Sequence, residues 1–182
     1  MDYDQVRSLP AMFFAQAERL GDRPFLWRKR KGQYRQTSWA EAARDVRRLA
    51  QGLGTLGIGR GERVGLVAEN GPEWVIADLA IMSAGAVTVP GYVTGTVEDY
   101  RHLLADSGMR AVVVSKPALS ARVLAAANEI DSVRTVIAIE PPLGQASAVD
   151  VLTWDEVLAR GEAGPGDPEA IVAGLEPDDT AC

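Results

Sequence analysis

Three glycines in the first third of the chain have the spacing of a dinucleotide-binding fingerprint. Gly52, Gly54 and Gly57 satisfy G-x-G-x-x-G, which binds phosphate only where a strand precedes it and a helix begins after it. The apolar periodicity instead places these glycines at the carboxyl end of a helix, where the helix dipole disfavours an anion. We therefore interpret the match as accidental and residues 57–61 as the turn into the next strand.

The other residue types that carry chemistry are scarce. His102 is the single histidine and lies beside Arg101 in a predicted helix, with no sequence feature that marks a nucleophile for it. Cys182 is the single cysteine, which excludes an internal disulfide and leaves too few ligands for a zinc site. No G-x-x-x-x-G-K-[ST] loop occurs. The residues alone predict no catalytic, cofactor-binding or metal site within the 182 positions.

One loop is better placed for binding. Residues 90–96 follow a short apolar strand, and ligands of open α/β sheets bind at the carboxyl ends of the strands. The alternative is a purely structural loop in which Thr96 caps the next helix, and this interpretation is favoured for the isolated chain.

The first 62 residues contain a helix, a hairpin and a second helix. Ser8 and Gly21 bound the first helix as its amino- and carboxyl-terminal caps. Two short strands on either side of residues 31–32 predict a hairpin. Ser38 and Glu41 have the spacing of a capping box for the second helix.

The middle of the chain alternates between apolar strands and helices. The predicted strands are Arg63–Ala68, Val87–Val89, Ala111–Val114 and Thr135–Ile139. Four strands separated by helices are typical of an α/β fold with a mostly parallel, doubly wound sheet. We divide the chain into residues 1–62, a parallel core at 63–139, and a loop, short helix and acidic linker at 140–182.

The charge is unevenly distributed. The net charge is −6, with 12 Arg/Lys against 6 Asp/Glu in residues 1–60 and 7 against 19 in residues 61–182. This balance argues against nucleic acid as a partner. The basic run at residues 28–31 is interpreted as a solvated turn, with peripheral membrane contact as the alternative. The first nine residues lack a signal-peptide pattern, and a cytoplasmic location is expected.

Several motifs, in order, resemble the opening of adenylate-forming enzymes of the long-chain fatty acyl-CoA synthetase type. They are Thr37–Trp39, Ala50–Leu53, Leu56–Ile58, Gly61–Val64, Asn70–Trp74, Ala84–Pro90, Asp106–Gly108 and Ala111–Val114. Tyr92 and Thr94 fall where this branch has a tyrosine and a threonine, and topology with resemblance makes them the candidates for the substrate edge. Val93 replaces the proline that is usual in the branch.

The resemblance implies an activity for a longer parent protein. Such enzymes use ATP and Mg²⁺ to convert a carboxylate into an acyl-adenylate, and then transfer the acyl group to coenzyme A. Their lysine-containing phosphate loop normally follows an acidic segment like Glu176–Thr180. We therefore expect the chain to be an inactive amino-terminal part that binds no cofactor alone. The expected partners are the remainder of its own protein and a fatty acid, and self-association through uncovered apolar surface is expected as well.

A second hypothesis is a standalone binding or interaction module of the flavodoxin-like class. Such a module would cover its own sheet and need no further residues. The codons after Cys182 distinguish the two hypotheses.

Overall fold

The computed structural model describes residues 6–144, 147–164 and 166–182. The helices are α1 Leu9–Leu20, α2 Trp39–Thr55, α3 Pro72–Ser83, α4 Val97–Ser107, α5 Pro117–Ala127, α6 Trp154–Glu162 and α7 Pro168–Ala173. The strands are β1 Pro24–Arg30, β2 Gln33–Ser38, β3 Arg63–Val67, β4 Val87–Pro90, β5 Ala111–Val114, β6 Thr135–Ala138 and β7 Asp150–Thr153. In the part of the chain that is described, no helix is both long and apolar enough to span a membrane.

The amino-terminal elements form where their capping residues predict them. The Ser8 hydroxyl accepts a hydrogen bond from the Ala11 amide and starts α1. Ser38 and Glu41 form the expected capping box of α2, each side chain accepting from the other residue's backbone amide. β1 and β2 form an antiparallel hairpin. Its turn uses left-handed backbone at Lys31 and Gly32.

The central sheet is parallel throughout, with the strand order β4-β3-β5-β6-β7. Helices cover both faces, which confirms the predicted doubly wound α/β fold. Val113 and Ile137 face the core formed with α2, α3 and α6, whereas Val112 and Val136 face the core formed with α4 and α5. This burial on both sides accounts for the wholly apolar strand β5, since each successive side chain enters one core or the other.

The region after residue 140 contains more structure than the sequence pattern indicated. β7 adds a fifth strand to the four predicted, pairing with β6 from Asp150 to Thr153. α7 lies within the segment interpreted as a linker, and its first amides are capped by the Asp167 carboxylate. A capping box of Thr153 and Glu156 starts α6.

The three fingerprint glycines lie at the carboxyl end of α2, as predicted, and one of them has a packing role. A Cβ added at Gly52 would lie 2.3 Å from the Val157 carbonyl oxygen on α6. Gly161 makes the reciprocal contact, because a Cβ there would lie 1.7 Å from the Arg48 carbonyl oxygen. Gly57 adopts φ +76° in the turn that leads to β3. Gly52 and Gly161 thus allow α2 and α6 to approach closely.

Candidate functional site

The strand order places a crevice at the carboxyl edge of β3 and β5. The chain leaves β3 for β4 through α3 and returns to β5 through α4, which packs on the opposite face. Ligands of open α/β sheets bind at such a reversal of strand order. A cleft of about 590 Å³ opens there. We call it the switch-point cleft, and its polar lining includes Arg28, Glu69, Asn70, Glu73, Ser115 and Lys116.

Glu69, Ser115 and Lys116 form a hydrogen-bonded group at the base of this cleft. The Ser115 hydroxyl donates to the Glu69 carboxylate and accepts from the Glu69 amide at 3.3 Å. The Lys116 Nζ lies 2.9 Å from Glu69 Oε1. Burial opposes the charged carboxylate, but the Ser115 hydroxyl and the Lys116 ammonium outweigh it and lower the pKa of Glu69. The hydrogen bond that Lys116 donates to Glu69 raises the pKa of Lys116, so both groups are ionised at neutral pH.

The opposite wall of the cleft joins the hairpin to α3. Arg28 Nη1 donates to Glu73 Oε1 at 2.6 Å, and the Arg30 guanidinium lies 3.8 Å from the same carboxylate. Glu73 is in the first turn of α3, where a negative charge also favours the helix dipole. The hairpin is therefore attached to the sheet domain through an ion pair at the rim of the cleft.

These residues do not fit ATP or Mg²⁺ by themselves. Two of the cations that line the cleft, Arg28 and Lys116, are each paired with a carboxylate, so neither is free to neutralise a triphosphate. Within residues 6–144, 147–164 and 166–182, no group of three or more His, Cys, Asp or Glu side chains could hold a metal ion. The described cleft therefore has no metal-ligand cluster, and two of the cations that phosphoryl chemistry could use are already paired.

A second cleft, of about 790 Å³, surrounds the loop after β4. We call it the Tyr92 cleft. Tyr92 and Thr94, the residues predicted from the sequence, both line it, together with His102 of α4. The Tyr92 side chain is 88% exposed, and Thr94 and His102 are exposed as well. The structure thus brings the two candidates to one cleft, where their role as a substrate edge stays a prediction.

The loop that carries Tyr92 is held from beneath by two side chains. Tyr100 Oη donates to the Tyr92 carbonyl at 2.7 Å. Arg122 of α5 donates to the carbonyls of Gly95 at 2.6 Å and Val93 at 3.0 Å. Burial raises the pKa of Tyr100, so its hydroxyl stays protonated and able to donate. The backbone of the loop is thereby fixed, while the side chain of Tyr92 remains available to solvent.

Sequence reasoning missed the polar group in the switch-point cleft. Glu69 and Ser115 are 46 positions apart and meet only because β3 and β5 are neighbours. The available signal was their position, since each follows a buried strand by one or two residues. Tyr100 and Arg122 were also missed, because nothing in their local sequence shows that they bond to the loop backbone.

Comparison with protein families decides the assignment of the chain. The model of the AMP-binding enzyme family matches residues 13–182. The chain belongs to the AMP-binding enzyme family. This confirms the resemblance drawn from the ordered motifs.

Curated relatives and solved structures agree with membership of the AMP-binding family. Long-chain-fatty-acid–CoA ligase FadD15 of Mycobacterium tuberculosis is 32% identical over 150 residues, which cover 82% of this chain and 24% of the relative. Long-chain-fatty-acid–CoA ligase 6 of Rattus norvegicus is 30% identical, with coverage of 88% and 24%. The chain thus spans about a quarter of the length of these relatives.

The similar solved structures support the fold. The A-PCP didomain of a carboxylic acid reductase from Segniliparus rugosus, in complex with AMP, superposes with a TM-score of 0.80 at 20% identity. That match covers 91% of this chain and 28% of the didomain. A benzoate CoA ligase from Burkholderia xenovorans gives a TM-score of 0.68 at 27% identity, with coverage of 82% and 28%.

Proposed function

We propose that this chain is part of a longer acyl-CoA synthetase that activates a long-chain fatty acid. The longer enzyme consumes ATP in the presence of Mg²⁺, forms an acyl-adenylate with release of pyrophosphate, and transfers the acyl group to coenzyme A. The observation that carries the proposal is the family match over residues 13–182, together with relatives named long-chain-fatty-acid–CoA ligases. A cytoplasmic location and a homodimer belong to the same proposal.

We propose that this chain supplies only a limited part of the activity. We propose that the phosphate and metal contacts of the reaction are made by residues outside this chain; the pairing of Arg28 and Lys116 with carboxylates supports this. The Tyr92 cleft supplies an exposed tyrosine and threonine on a fixed loop at the carboxyl edge of the sheet. We propose that Tyr92 and Thr94 contact the carboxylate substrate or its acyl chain.

A carboxylate-dependent ATP–pyrophosphate exchange assay tests this function. We expect no exchange from the 182-residue chain, and exchange with long-chain fatty acids from the reading frame that extends beyond Cys182. Tyr92→Ala in that longer protein should raise the KM for the fatty acid more than it lowers kcat. Exchange by the 182-residue chain alone, or a stop codon directly after Cys182, contradicts the proposal.

A standalone binding module is the second candidate, and the topology favours it in one respect. The order β4-β3-β5-β6-β7 is the 2-1-3-4-5 order of flavodoxin-like folds. Such folds bind ligands at the edge where the switch-point cleft lies. Saturable binding of a small ligand by the 182-residue chain, abolished by Glu69→Ala, would support this alternative.

A further inference from the structure

The β1–β2 hairpin has one face that carries two largely exposed aromatic side chains. Residues directly opposite in an antiparallel pair project on the same side of the hairpin. Lys29 is opposite Tyr34, and Trp27 is opposite Gln36. The Trp27 side chain is 54% exposed and Tyr34 is 68% exposed. Lys29 Nζ lies 5.7 Å from the centre of the Tyr34 ring. We call this surface of Trp27, Lys29, Tyr34 and Gln36 the Trp27 face.

The other side of the hairpin attaches it to the domain. Arg28 and Arg30 are on that side and interact with Glu73 at the start of α3. This ion pair fixes the hairpin without using the Trp27 face. The large exposed aromatic side chains therefore have no role in the described packing of the hairpin against α3.

The hairpin also concentrates positive charge. Residues 23–40 contain six Arg/Lys and no Asp/Glu, in a chain whose net charge is −6. Glu73 pairs with Arg28 and Arg30, but no ion pair joins Lys29, Lys31 or Arg35 to any described residue. Lys31 lies at the turn, beside the Trp27 face. Arg35 is opposite Arg28 and therefore lies on the other side of the hairpin. The Trp27 face and its turn thus combine two exposed aromatic rings with two unpaired cations, Lys29 and Lys31.

We propose that the Trp27 face binds an anionic lipid surface. Tryptophan and tyrosine have an apolar ring with a polar end, which suits the boundary between lipid headgroups and acyl chains. Lysine and arginine side chains close to that boundary are attracted by anionic headgroups. Trp27 also lines the switch-point cleft, so a bilayer bound here borders the carboxyl edge of the sheet.

The charge distribution favours lipid over nucleic acid as the partner. Residues 61–182 carry 7 Arg/Lys against 19 Asp/Glu. An extended polyanion that reaches beyond the hairpin meets this acidic surface, whereas a bilayer is contacted through the hairpin alone. The proposal does not depend on the adenylating activity, since it concerns a surface separate from the Tyr92 cleft.

Vesicle co-sedimentation of the 182-residue chain tests the proposal. We expect binding to phosphatidylcholine vesicles that contain phosphatidylserine, and at least tenfold weaker binding to phosphatidylcholine alone. Trp27→Ala and Tyr34→Ser should each weaken binding to the mixed vesicles several-fold, and Lys29→Glu should weaken it and reduce its dependence on salt. Circular dichroism and the Tm show whether each variant is folded.

Two variants outside the hairpin serve as controls. Arg134→Glu makes the same change of net charge as Lys29→Glu at an exposed site beside β6. Leu143→Ala removes an apolar side chain that is 68% exposed. Both controls should bind the mixed vesicles like the unmodified chain. Absence of vesicle binding, equal losses in the controls, or a preference for single-stranded RNA that the hairpin variants abolish would overturn the proposal.

Discussion

At the scale of single residues, Tyr100 and Arg122 fix the backbone of the loop that carries the candidate substrate contacts. Their three hydrogen bonds end on the carbonyls of Tyr92, Val93 and Gly95. Both donors bond to backbone carbonyls of the loop, so they act by positioning it. Substitution of Tyr100 or Arg122 can therefore change the mobility of the loop without changing the side chains of Tyr92 and Thr94.

The first prediction concerns removal of one of these donors. Tyr100→Phe deletes the hydrogen bond to the Tyr92 carbonyl, and the loss of one such bond costs about 1 kcal/mol. We expect amide hydrogen exchange in residues 91–96 to become about fivefold faster, because 1 kcal/mol is roughly a factor of five in the opening equilibrium. Tyr92→Phe is the matched control, since its hydroxyl is on an exposed ring, and unchanged exchange in Tyr100→Phe would contradict the role.

The capping box of α2 gives a second prediction, with a defined pH dependence. The Ser38 amide and hydroxyl donate to the Glu41 carboxylate and lower the pKa of Glu41. The Glu41 carboxyl therefore binds a proton more tightly in the unfolded chain than in the folded one. The ionised carboxylate stabilises the folded state above a pH of about 4.3, and this stabilisation is lost as the pH falls through the lower pKa of the folded state.

We therefore expect Glu41→Gln to lower the free energy of unfolding at pH 7 and to have little effect near pH 2. Ser38→Ala should cost about 1 kcal/mol at neutral pH. Urea unfolding across this pH range measures both effects. Glu18→Gln, at an exposed position of α1, is the control; a destabilisation by Glu41→Gln that is independent of pH would exclude the capping role.

The sequence predicted the Tyr92 cleft better than the switch-point cleft. The loop with Tyr92 and Thr94 could be placed because its position follows from the strand before it; the choice of these two residues also used the resemblance, and their role stays a prediction. Glu69 and Ser115 could not be paired in advance, since their contact requires β3 and β5 to be adjacent. The strand order depends on which helix covers which face, and a single sequence does not contain that information locally.

At the scale of elements, the contact between α2 and α6 depends on glycine. Gly52 and Gly161 each lie where a Cβ would overlap a backbone oxygen of the other helix. Gly54 is two residues further along α2, on a different side of the helix, and has open space around its Cα. Substitutions at the crowded positions Gly52 and Gly161 test the steric need for glycine, whereas substitution at Gly54 tests only the low helix propensity of glycine.

Our third prediction follows from this difference. Gly52→Ala should destabilise the protein by about 1–3 kcal/mol, the usual cost of overpacking, because α6 must move away from α2. Gly54→Ala should stabilise it by about 0.5–1 kcal/mol, since alanine has the higher helix propensity and meets no neighbour. Denaturant unfolding of the two variants measures the contrast. Equal effects of the two substitutions would show that close helix approach is not the reason for Gly52.

Two elements, β7 and α7, were not predicted from the sequence, because both are short and lack a periodic apolar pattern. β7 is four residues long at the edge of the sheet, with a burial pattern that does not alternate, so it has no periodic signal. α7 has six residues and lies among glycines and prolines. Its one usable signal was Asp167 before Pro168, an amino-terminal cap followed by proline at the first helical position.

At the scale of the whole molecule, the last forty residues of the chain pack against the first sixty. α6 packs on α2, while Arg60 donates to the Gly174 carbonyl at 3.1 Å and to the Asp179 carboxylate. The Thr88 amide on the outer edge of β4 donates to the Ala181 carbonyl at 2.9 Å. The division of the chain after residues 62 and 139 stays a prediction. These contacts between the first and third segments suggest how deletions can test it.

The fourth prediction compares two deletions. Removal of residues 140–182 takes away α6 and β7, so buried apolar residues of α2 such as Val46 and Leu53 lose their covering helix and β6 becomes an edge strand. We expect this shortened chain to lose cooperative thermal unfolding and to bind a hydrophobic dye. Removal of residues 176–182 alone breaks mainly surface ion pairs, which contribute about 0–1 kcal/mol each, and should lower the Tm by only a few degrees. Cooperative unfolding of residues 1–139 at an unchanged Tm would instead mean that the first two segments are stable without the third, because α2 would then not need α6.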